Sequence, residues 1–495
     1  MKLLRINTRT AALALAALLV LTAPLLSQGY SGPLTIQGLD RNTLHSAAAR
    51  AMGGITVGLR DDIGLMFDNP ASLLSLNKLS VSLGAIRETN DRAQVQQYAP
   101  VRYYSNFSLL MESLTHLIPN PNPALGGSSQ ADTVQRPYDA IGPNWSRSDG
   151  RTLPLQGLIA MPFSWGGMKL VAGVGAVEYA DLNHYYQNNN VLSPPILLQR
   201  PIPTFRPTNN APVSVDWSQY LRSRDGALRG YGVALSGGVP DGNLSFGLSG
   251  LFISGSTDDF EQHTGRGRLT FYANSFRLDS AYRHITSTGS SEYSGTELTV
   301  SGIYRTSNVS VGITAKLPTT ITRSYATQTV TDTTGVPVST NVSGEDELTL
   351  PWRGTVALSL TPRENLRIGL EYEVRSYNSA IYKAADGTET SPWLSASVLH
   401  VGLEYIPAPW LALRAGLRGH SEVFEQDGNP IEGEPVISSV YSAGFGIVSS
   451  GLRVNFTYEY SPMKYEDIWG SAISKNSSTR NAVIIDVNYE LPWEW

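Results

Sequence analysis

The chain has 495 residues, a formal net charge of −5 and no cysteine. The lack of cysteine excludes disulfide frameworks, cysteine zinc sites and thiol chemistry, and no basic cluster has the size of a nucleic-acid footprint. Glycine is abundant, with 46 residues, and 24 tyrosines and 9 tryptophans recur along the chain. This composition is typical of many strands joined by turns, with aromatic residues at an interface.

Residues 1–29 have the pattern of a signal peptide. Lys2, Arg5 and Arg9 supply a positive start, residues 11–21 form an apolar core, and cleavage is expected near Gly29. The alternative is an uncleaved membrane anchor, which the short apolar run disfavours. No later segment offers about twenty unbroken apolar residues. A membrane protein with this sequence must therefore span the membrane with strands.

Residues 46–76 contain the most distinctive pattern of the chain, SAAARAMGGITVGLRDDIGLMFDNPASLLSL. Either Asp61 or Asp62 is suited to cap a short helix over 63–67. Asn69 precedes a proline, which pushes it out of the α region and ends that helix, and 71–76 can restart as a second helical turn. Two short helices at an Asn-Pro corner predict a compact plug, not a strand.

In order, this segment has a run of small residues, then Arg-Ala-Met-Gly-Gly, Asp-Asp and Asn-Pro-Ala-x-Leu. The arrangement resembles the N-terminal hatch of FadL-type outer-membrane proteins. That superfamily includes transporters of long-chain fatty acids and aromatic hydrocarbons, and the PorV and PorQ components of type IX secretion. The resemblance implies an all-β fold, a transmembrane antiparallel β-barrel of about 14 strands with a plugged lumen. The hatch, residues 30–77, would act through Arg50, Gly53, Gly54, Arg60, Asp61, Asp62, Asn69 and Pro70.

Residues 78–495 would form the barrel. Three segments, 89–151, 187–225 and 261–291, carry many prolines, glycines and serines, and we expect them to be long irregular extracellular loops. Between them, segments such as 366–374 and 452–460 alternate apolar and polar residues. This alternation fits a barrel with lipid outside and a wet lumen, and equally a soluble sandwich.

Long predicted strands, and the alternation of tight with long connections, favour the membrane barrel. By phase, nine charged residues point into the lumen, where we interpret them as pairing with each other and with the hatch. They are Lys316, Arg367, Glu371, Glu373, Glu404, Arg414, Arg418, Arg453 and Glu459. A sharper hypothesis is that Arg60, Asp61 and Asp62 pair with such charges and hold the plug shut.

A search for catalytic motifs gives little. The 7 histidines are scattered without metal-ligand spacing, and neither a G-x-S-x-G elbow nor a phosphate-binding glycine loop is present. We therefore expect no enzyme activity, no metal and no cofactor.

The resemblance implies uptake of hydrophobic small molecules, long-chain fatty acids or hydrocarbons, by a hatch-gated route with lateral exit. Gly173 and Gly175 are the candidate lateral opening, because glycine weakens a strand ladder. Apolar loop residues are candidates for a ligand landing site, although simple loop packing explains them equally well. They are Phe107, Leu109, Leu110, Leu114, Leu117 and Ile118, with Val191, Leu192, Ile196, Leu197 and Leu198 in the second loop.

A second function stays open. The hatch motif fits equally an interaction protein of the PorV/PorQ kind, in a secretion or surface-attachment complex. In either case we expect a monomeric, multi-pass protein of a Gram-negative outer membrane. Its partners would be outer-membrane lipid and a hydrophobic ligand, or else a secretion-system or surface protein, and not nucleic acid.

Overall fold

The wall of the molecule is a single antiparallel sheet that closes on itself. The computed structural model describes residues 38–40, 43–96, 120–121, 141–142, 144–193, 208–238, 243–272, 275–279, 283–333, 335–391, 393–423, 436–469 and 472–491. Within these residues, fourteen strands form a closed barrel. The last ladder joins the first strand to the final one, from Ser80 opposite Glu490 to Gln96 opposite Ser474. None of the helices described here is both long and apolar enough to span a membrane.

Three of the wall strands consist of two segments each. The breaks in β7 and β8 lie at Pro318 and Pro351, because proline cannot donate to a ladder. The strands are β1 Ser80–Gln96, β2 Trp145–Trp165, β3 Met168–Asp181 with His184–Ser193, β4 Val213–Gly238, β5 Leu244–Phe271, β6 His284–Arg305, β7 Val309–Lys316 with Thr319–Asp332, β8 Pro337–Leu350 with Arg353–Arg363, β9 Leu366–Arg375, β10 Val398–Ala408, β11 Leu411–Ser421, β12 Ile437–Ser449, β13 Leu452–Trp469 and β14 Ala472–Glu490. Short strands at Asn120–Pro121, Ser275–Asp279, Ile381–Lys383 and Glu389–Thr390 accompany them.

The two faces of the wall differ in polarity. In β10 the outward side chains Leu399, Val401 and Leu403 are exposed, whereas the inward His400 and Glu404 are buried. The same period of two runs through the other strands and leaves a continuous apolar band on the outside. An apolar exterior around a polar lumen is the pattern of transmembrane barrels, and it confirms the predicted phase of the strands.

The predicted irregular loops were wrong in part, because strands continue into all three of them. The strands concerned are β1 and β2 in 89–151, β3 and β4 in 187–225, and β5 and β6 in 261–291. These extensions rise beyond the apolar band at one end of the barrel, which we call the upper end. Much of this upper chain is polar on both faces, as in residues 286–292 of β6, and there the apolar alternation that would have revealed a strand is missing.

The lumen is filled by the hatch, of which the structure describes residues 38–40 and 43–77. It begins with α1, Ala47–Ala51, whose first turn is capped by Ser46 Oγ accepting from Ala49 N at 3.0 Å. Two 3₁₀ helices follow, Ile63–Leu65 and Pro70–Ser75. Asp62 caps the first of these by accepting from Gly64 N at 2.9 Å. The predicted helical turns and Asn-Pro corner are confirmed as 3₁₀ helices, and α1 was not predicted.

Candidate functional site

Inward-facing glycines of the wall form a socket for the hatch. A Cβ added to Gly416 on β11 would collide with the backbone of Gly53, and one added to Gly402 on β10 would collide with Met52 O. Seven further wall glycines face the hatch. Gly247 lies against the backbone of Pro70 and Ala71, and hatch side chains lie against the other six: Gly173, Gly232, Gly238, Gly312, Gly369 and Gly444. The barrel is therefore shaped to the hatch along eight of its strands.

The predicted hatch glycines lie at this contact. Gly53 has φ +70° and Gly54 has φ +97°, a left-handed conformation that favours glycine. A Cβ on Gly53 would also meet Leu417 N at 2.7 Å. The Gly-Gly pair thus lets the hatch turn directly against the wall.

A buried charge pair fastens α1 to the wall. Arg50 is 2% exposed, and its Nε lies 3.1 Å from Glu459 Oε1 on β13. Arg418 Nη1 on β11 donates to the same oxygen at 3.0 Å. Because Arg50 is out of water, loss of Glu459 would leave its guanidinium as an uncompensated buried charge.

Wall carboxylates also accept from backbone N–H groups of the hatch. Glu371 on β9 accepts from Thr56 N at 2.5 Å and from Val57 N at 2.8 Å. Asp486 on β14 accepts from Ala47 N at 2.8 Å. These charge-assisted hydrogen bonds fix the hatch at separate points around the lumen.

The hypothesis that Arg60, Asp61 and Asp62 pair with wall charges is not supported in the described residues. Arg453 on β13 donates to the backbone oxygens of Arg60 and Asp61, at 3.1 and 2.9 Å. Asp62 accepts within the hatch, from Gly64 N and Ser46 Oγ. Instead, Arg50 of the hatch forms an ion pair with Glu459 of the wall.

The corner residue Asn69 also bonds within the hatch. Its Nδ2 donates to Thr56 Oγ1 at 3.3 Å, and Pro70 begins the second 3₁₀ helix. The Asn-Pro corner therefore holds two parts of the hatch together.

His45 links the hatch to β3. Its Nδ1 lies 3.1 Å from Asp68 Oδ2 in the hatch, and its Nε2 lies 2.9 Å from Glu178 O. Burial alone would raise the pKa of Asp68, but the charge and hydrogen bonds of His45 outweigh burial and hold that pKa below the ordinary value of 3.8. The hatch and β3 are therefore coupled through one buried side chain.

Replacing Asp68 by asparagine is expected to destabilise the protein at pH 7 by about 1–3 kcal/mol. A carboxylate whose folded pKa is lowered contributes stability above its unfolded pKa, and this contribution is lost as the pH falls through the folded pKa. The melting temperatures of the variant and the native protein should therefore converge in acid. Asp91→Asn, at an exposed position of β1, is the control. An equal loss at both pH values would contradict this linkage.

The ladder between β2 and β3 stops part-way up the wall. It runs from Trp165 opposite Met168 to Gln156 opposite Val177. Beyond that point residues 145–154 pair with β1, but no ladder among the described residues joins this stretch to β3. Residues 177–180 are all buried and the ladder of β3 with β4 shifts register between Glu178 and Ala180, which indicates that β3 bends into the lumen here. We call this interruption the seam.

Gly173 and Gly175 do not lie in the seam. They pair with Ala160 and Leu158 in the regular part of the ladder, and Gly173 leaves room for Met66 of the hatch. The lateral opening stays a prediction, and the interruption of the ladder lies a few residues further along β3 than these glycines. The local signal at the seam is Pro154, which removes a donor from β2.

A cavity of about 160 Å³ lies between the hatch and the upper ends of the strands. Its lining contains five arginines, Arg50, Arg92, Arg375, Arg418 and Arg480, and three carboxylates, Asp40, Asp181 and Glu422. Apolar side chains share the lining, among them Leu44, Trp393, Val423, Val440 and Met463. Such a surface suits a ligand that has both an anionic group and an apolar body.

Most residues of the predicted landing site lie outside the described residues. These are Phe107, Leu109, Leu110, Leu114, Leu117, Ile118, Ile196, Leu197 and Leu198. Val191 is described, and it is buried beside Tyr186 and Tyr220. The arginine-lined cavity was not predicted, because its residues come from many separate strands.

Comparison with known proteins bears on the fold. No family model and no curated protein matches the chain. A solved structure of a Pseudomonas aeruginosa FadL homologue matches 93% of this chain and 99% of its own, with 12% identity and a TM-score of 0.56. This chain has the FadL-type barrel fold.

Two other solved structures share the FadL-type fold. The P. putida toluene transporter TodX matches over 91% of this chain and 100% of its own, with 13% identity and a TM-score of 0.51. A TodX mutant described as a monoaromatic hydrocarbon channel matches over 90% and 99%, with 12% identity and a TM-score of 0.53. The fold class that the hatch motif implied is confirmed.

Proposed function

We propose that this protein is an outer-membrane channel for the uptake of hydrophobic small molecules that carry a carboxylate, the class of long-chain fatty acids. The observation that carries this proposal is the cavity above the hatch, whose lining combines five arginines with apolar side chains. Arginine is well suited to binding a carboxylate through two parallel hydrogen bonds. The FadL-type fold and the names of its solved relatives support transport of hydrophobic molecules.

The proposed route leaves the lumen sideways. The socket closes the straight path through the barrel, because the hatch backbone fits against wall glycines such as Gly402 and Gly416. The seam borders the cavity, because Asp181 and Asn183 of the bent segment line that cavity. A ligand in the cavity would thus reach the membrane through the seam.

Uptake of radiolabelled palmitate by cells with and without this gene tests the proposal. Expression is expected to raise palmitate uptake, and Arg92→Gln is expected to lower it about tenfold, the loss of one charge-assisted hydrogen bond. Toluene uptake, measured alongside, should not respond to Arg92→Gln.

Arg147→Gln is the matched control. Both arginines contact Asp149, Arg92 at 2.5 Å and Arg147 at 3.7 Å, but only Arg92 lines the cavity. Equal palmitate uptake with and without the gene, when the barrel is folded in the membrane, would overturn the proposal.

A second candidate function is an interaction protein of a secretion or surface-attachment complex. The hairpin of β7 and β8 favours it, because residues 337–343 are exposed on both faces and Val336 and Val338 are 68% and 62% exposed. Affinity purification of the protein from native membranes would test this function. A stoichiometric partner that is lost when Val338 is replaced by aspartate would support it over transport.

A further inference from the structure

Arg151 crosses the seam where the backbone ladder is missing. Its Nη1 lies 2.7 Å from Glu178 Oε1, and its Nη2 lies 3.2 Å from Asp181 Oδ2, both on β3. The same guanidinium contacts Glu88 Oε2 on β1 at 2.5 Å. One side chain of β2 therefore ties β3 to the wall by ion pairs in place of backbone hydrogen bonds.

A second arginine crosses the seam from the other side. Arg229 on β4 donates through Nη1 to Pro154 O on β2, at 2.7 Å, past the intervening β3. Tyr231 and Val233 point to the same side of β4 as Arg229, and both are exposed on the outer face of the barrel. Among the described residues, the contacts across the seam are thus made by side chains, which can release without loss of any wall ladder.

We call the ion pairs of Arg151 with Glu178 and Asp181 the clasp. The hydrogen bonding of the clasp is incomplete. Glu178 is fully buried, and its Oε2 has no hydrogen-bond partner among the described residues. A buried carboxylate oxygen without a partner weakens an ion pair relative to a fully bonded one. Another carboxylate can therefore take the place of the β3 carboxylates on the Arg151 guanidinium.

The cavity reaches this clasp. Asp181, one of the two β3 partners of Arg151, lines the cavity, and so does Arg480, which pairs with Glu88. An anionic ligand in the cavity consequently lies beside the groups that hold the seam.

We propose that Arg151 is the positioning residue that keeps the seam closed, and that a ligand carboxylate opens the seam by replacing Asp181 and Glu178 on its guanidinium. This inference rests on the proposed uptake function. It adds that the ligand itself opens the exit and that the opening is selective for anionic ligands. A neutral hydrocarbon of the same length lacks the group that exchanges with the clasp.

A single introduced thiol reports on the seam, because the chain has no cysteine. Ala180 lies on the bent part of β3 and is 1% exposed, so the Ala180→Cys thiol should react slowly with N-ethylmaleimide. Palmitate is expected to raise this rate about tenfold, whereas methyl palmitate, with the same chain and no charge, should not. Ala234→Cys, buried on β4 with complete ladders on both sides, should respond to neither.

Arg151→Gln in the Ala180→Cys background should give the fast rate without any ligand. If that variant does not form a folded barrel, Glu178→Gln replaces it, with the same expected rise. Binding of radiolabelled palmitate is measured on the same samples. Bound palmitate with an unchanged labelling rate, or a slow rate in the folded clasp variant, overturns the clasp. A lack of palmitate binding instead overturns the proposed function, while the clasp variants still report on the seam.

Discussion

Leucine in place of Gly416 is expected to expel the hatch and to turn the closed barrel into an open pore. The position faces the lumen from β11, and a Cβ there would collide with the backbone of Gly53. A backbone clash cannot be relieved by a change of side-chain rotamer, so the wall or the hatch must move. The wall is held by continuous ladders with β10 and β12, whereas the hatch is held at separate points. The hatch should therefore move.

The measurement is single-channel conductance in planar bilayers, together with the sensitivity of expressing cells to a large hydrophilic antibiotic. A barrel of this width leaks unless it is filled, so both should rise by at least about tenfold. Gly419→Leu is the matched control, because it lies on the same strand and a Cβ there has its nearest contact at 4.0 Å. A Gly416→Leu barrel that stays closed while it is correctly folded would show that the glycine socket does not seat the hatch.

Glutamine in place of Glu459 is expected to have the second large effect. Glu459 is 3% exposed and is the common partner of Arg50 in the hatch and Arg418 in the wall. The substitution leaves the buried Arg50 and the half-buried Arg418 without their counter-ion, which costs about 3–5 kcal/mol for a buried pair. Because Arg50 belongs to the hatch, part of this loss should appear as hatch release, with a rise in conductance as well as a lower melting temperature.

Glu466→Gln on the same strand is the control for Glu459→Gln. Its pair with Lys475 is exposed, at 59% and 53% for the two side chains, and an exposed pair contributes about 0–1 kcal/mol. The control should therefore leave both conductance and melting temperature nearly unchanged. Similar losses for the two variants would mean that the buried triad does not fasten the hatch.

The features that could be predicted from the sequence are those with local signals. Asp62 as a cap and the Asn69-Pro70 corner each act within a few residues, and the structure has both. The phase of β10 followed from the alternation of Leu399, Val401 and Leu403 with polar residues, since a lipid-facing side selects apolar residues at every second position.

The features that were missed depend on distant contacts or lack an apolar pattern. Arg50 and Glu459 are 409 residues apart, so nothing near Arg50 indicates its partner. Most of the upper parts of β5 and β6 is polar on both sides and does not alternate. The bend of β3 depends on how Glu178 and Ala180 pack against the hatch and β4, and the glycines of the same strand did not reveal it.

A cryo-EM structure of the protein in lipid nanodiscs with saturating palmitate tests the central claim most directly. The account predicts elongated density in the cavity above a seated hatch, with its carboxylate within hydrogen-bond distance of cavity arginines such as Arg92 and Arg480. An empty cavity at saturating palmitate, or a hatch that lies outside the lumen in the ligand-free protein, would contradict it.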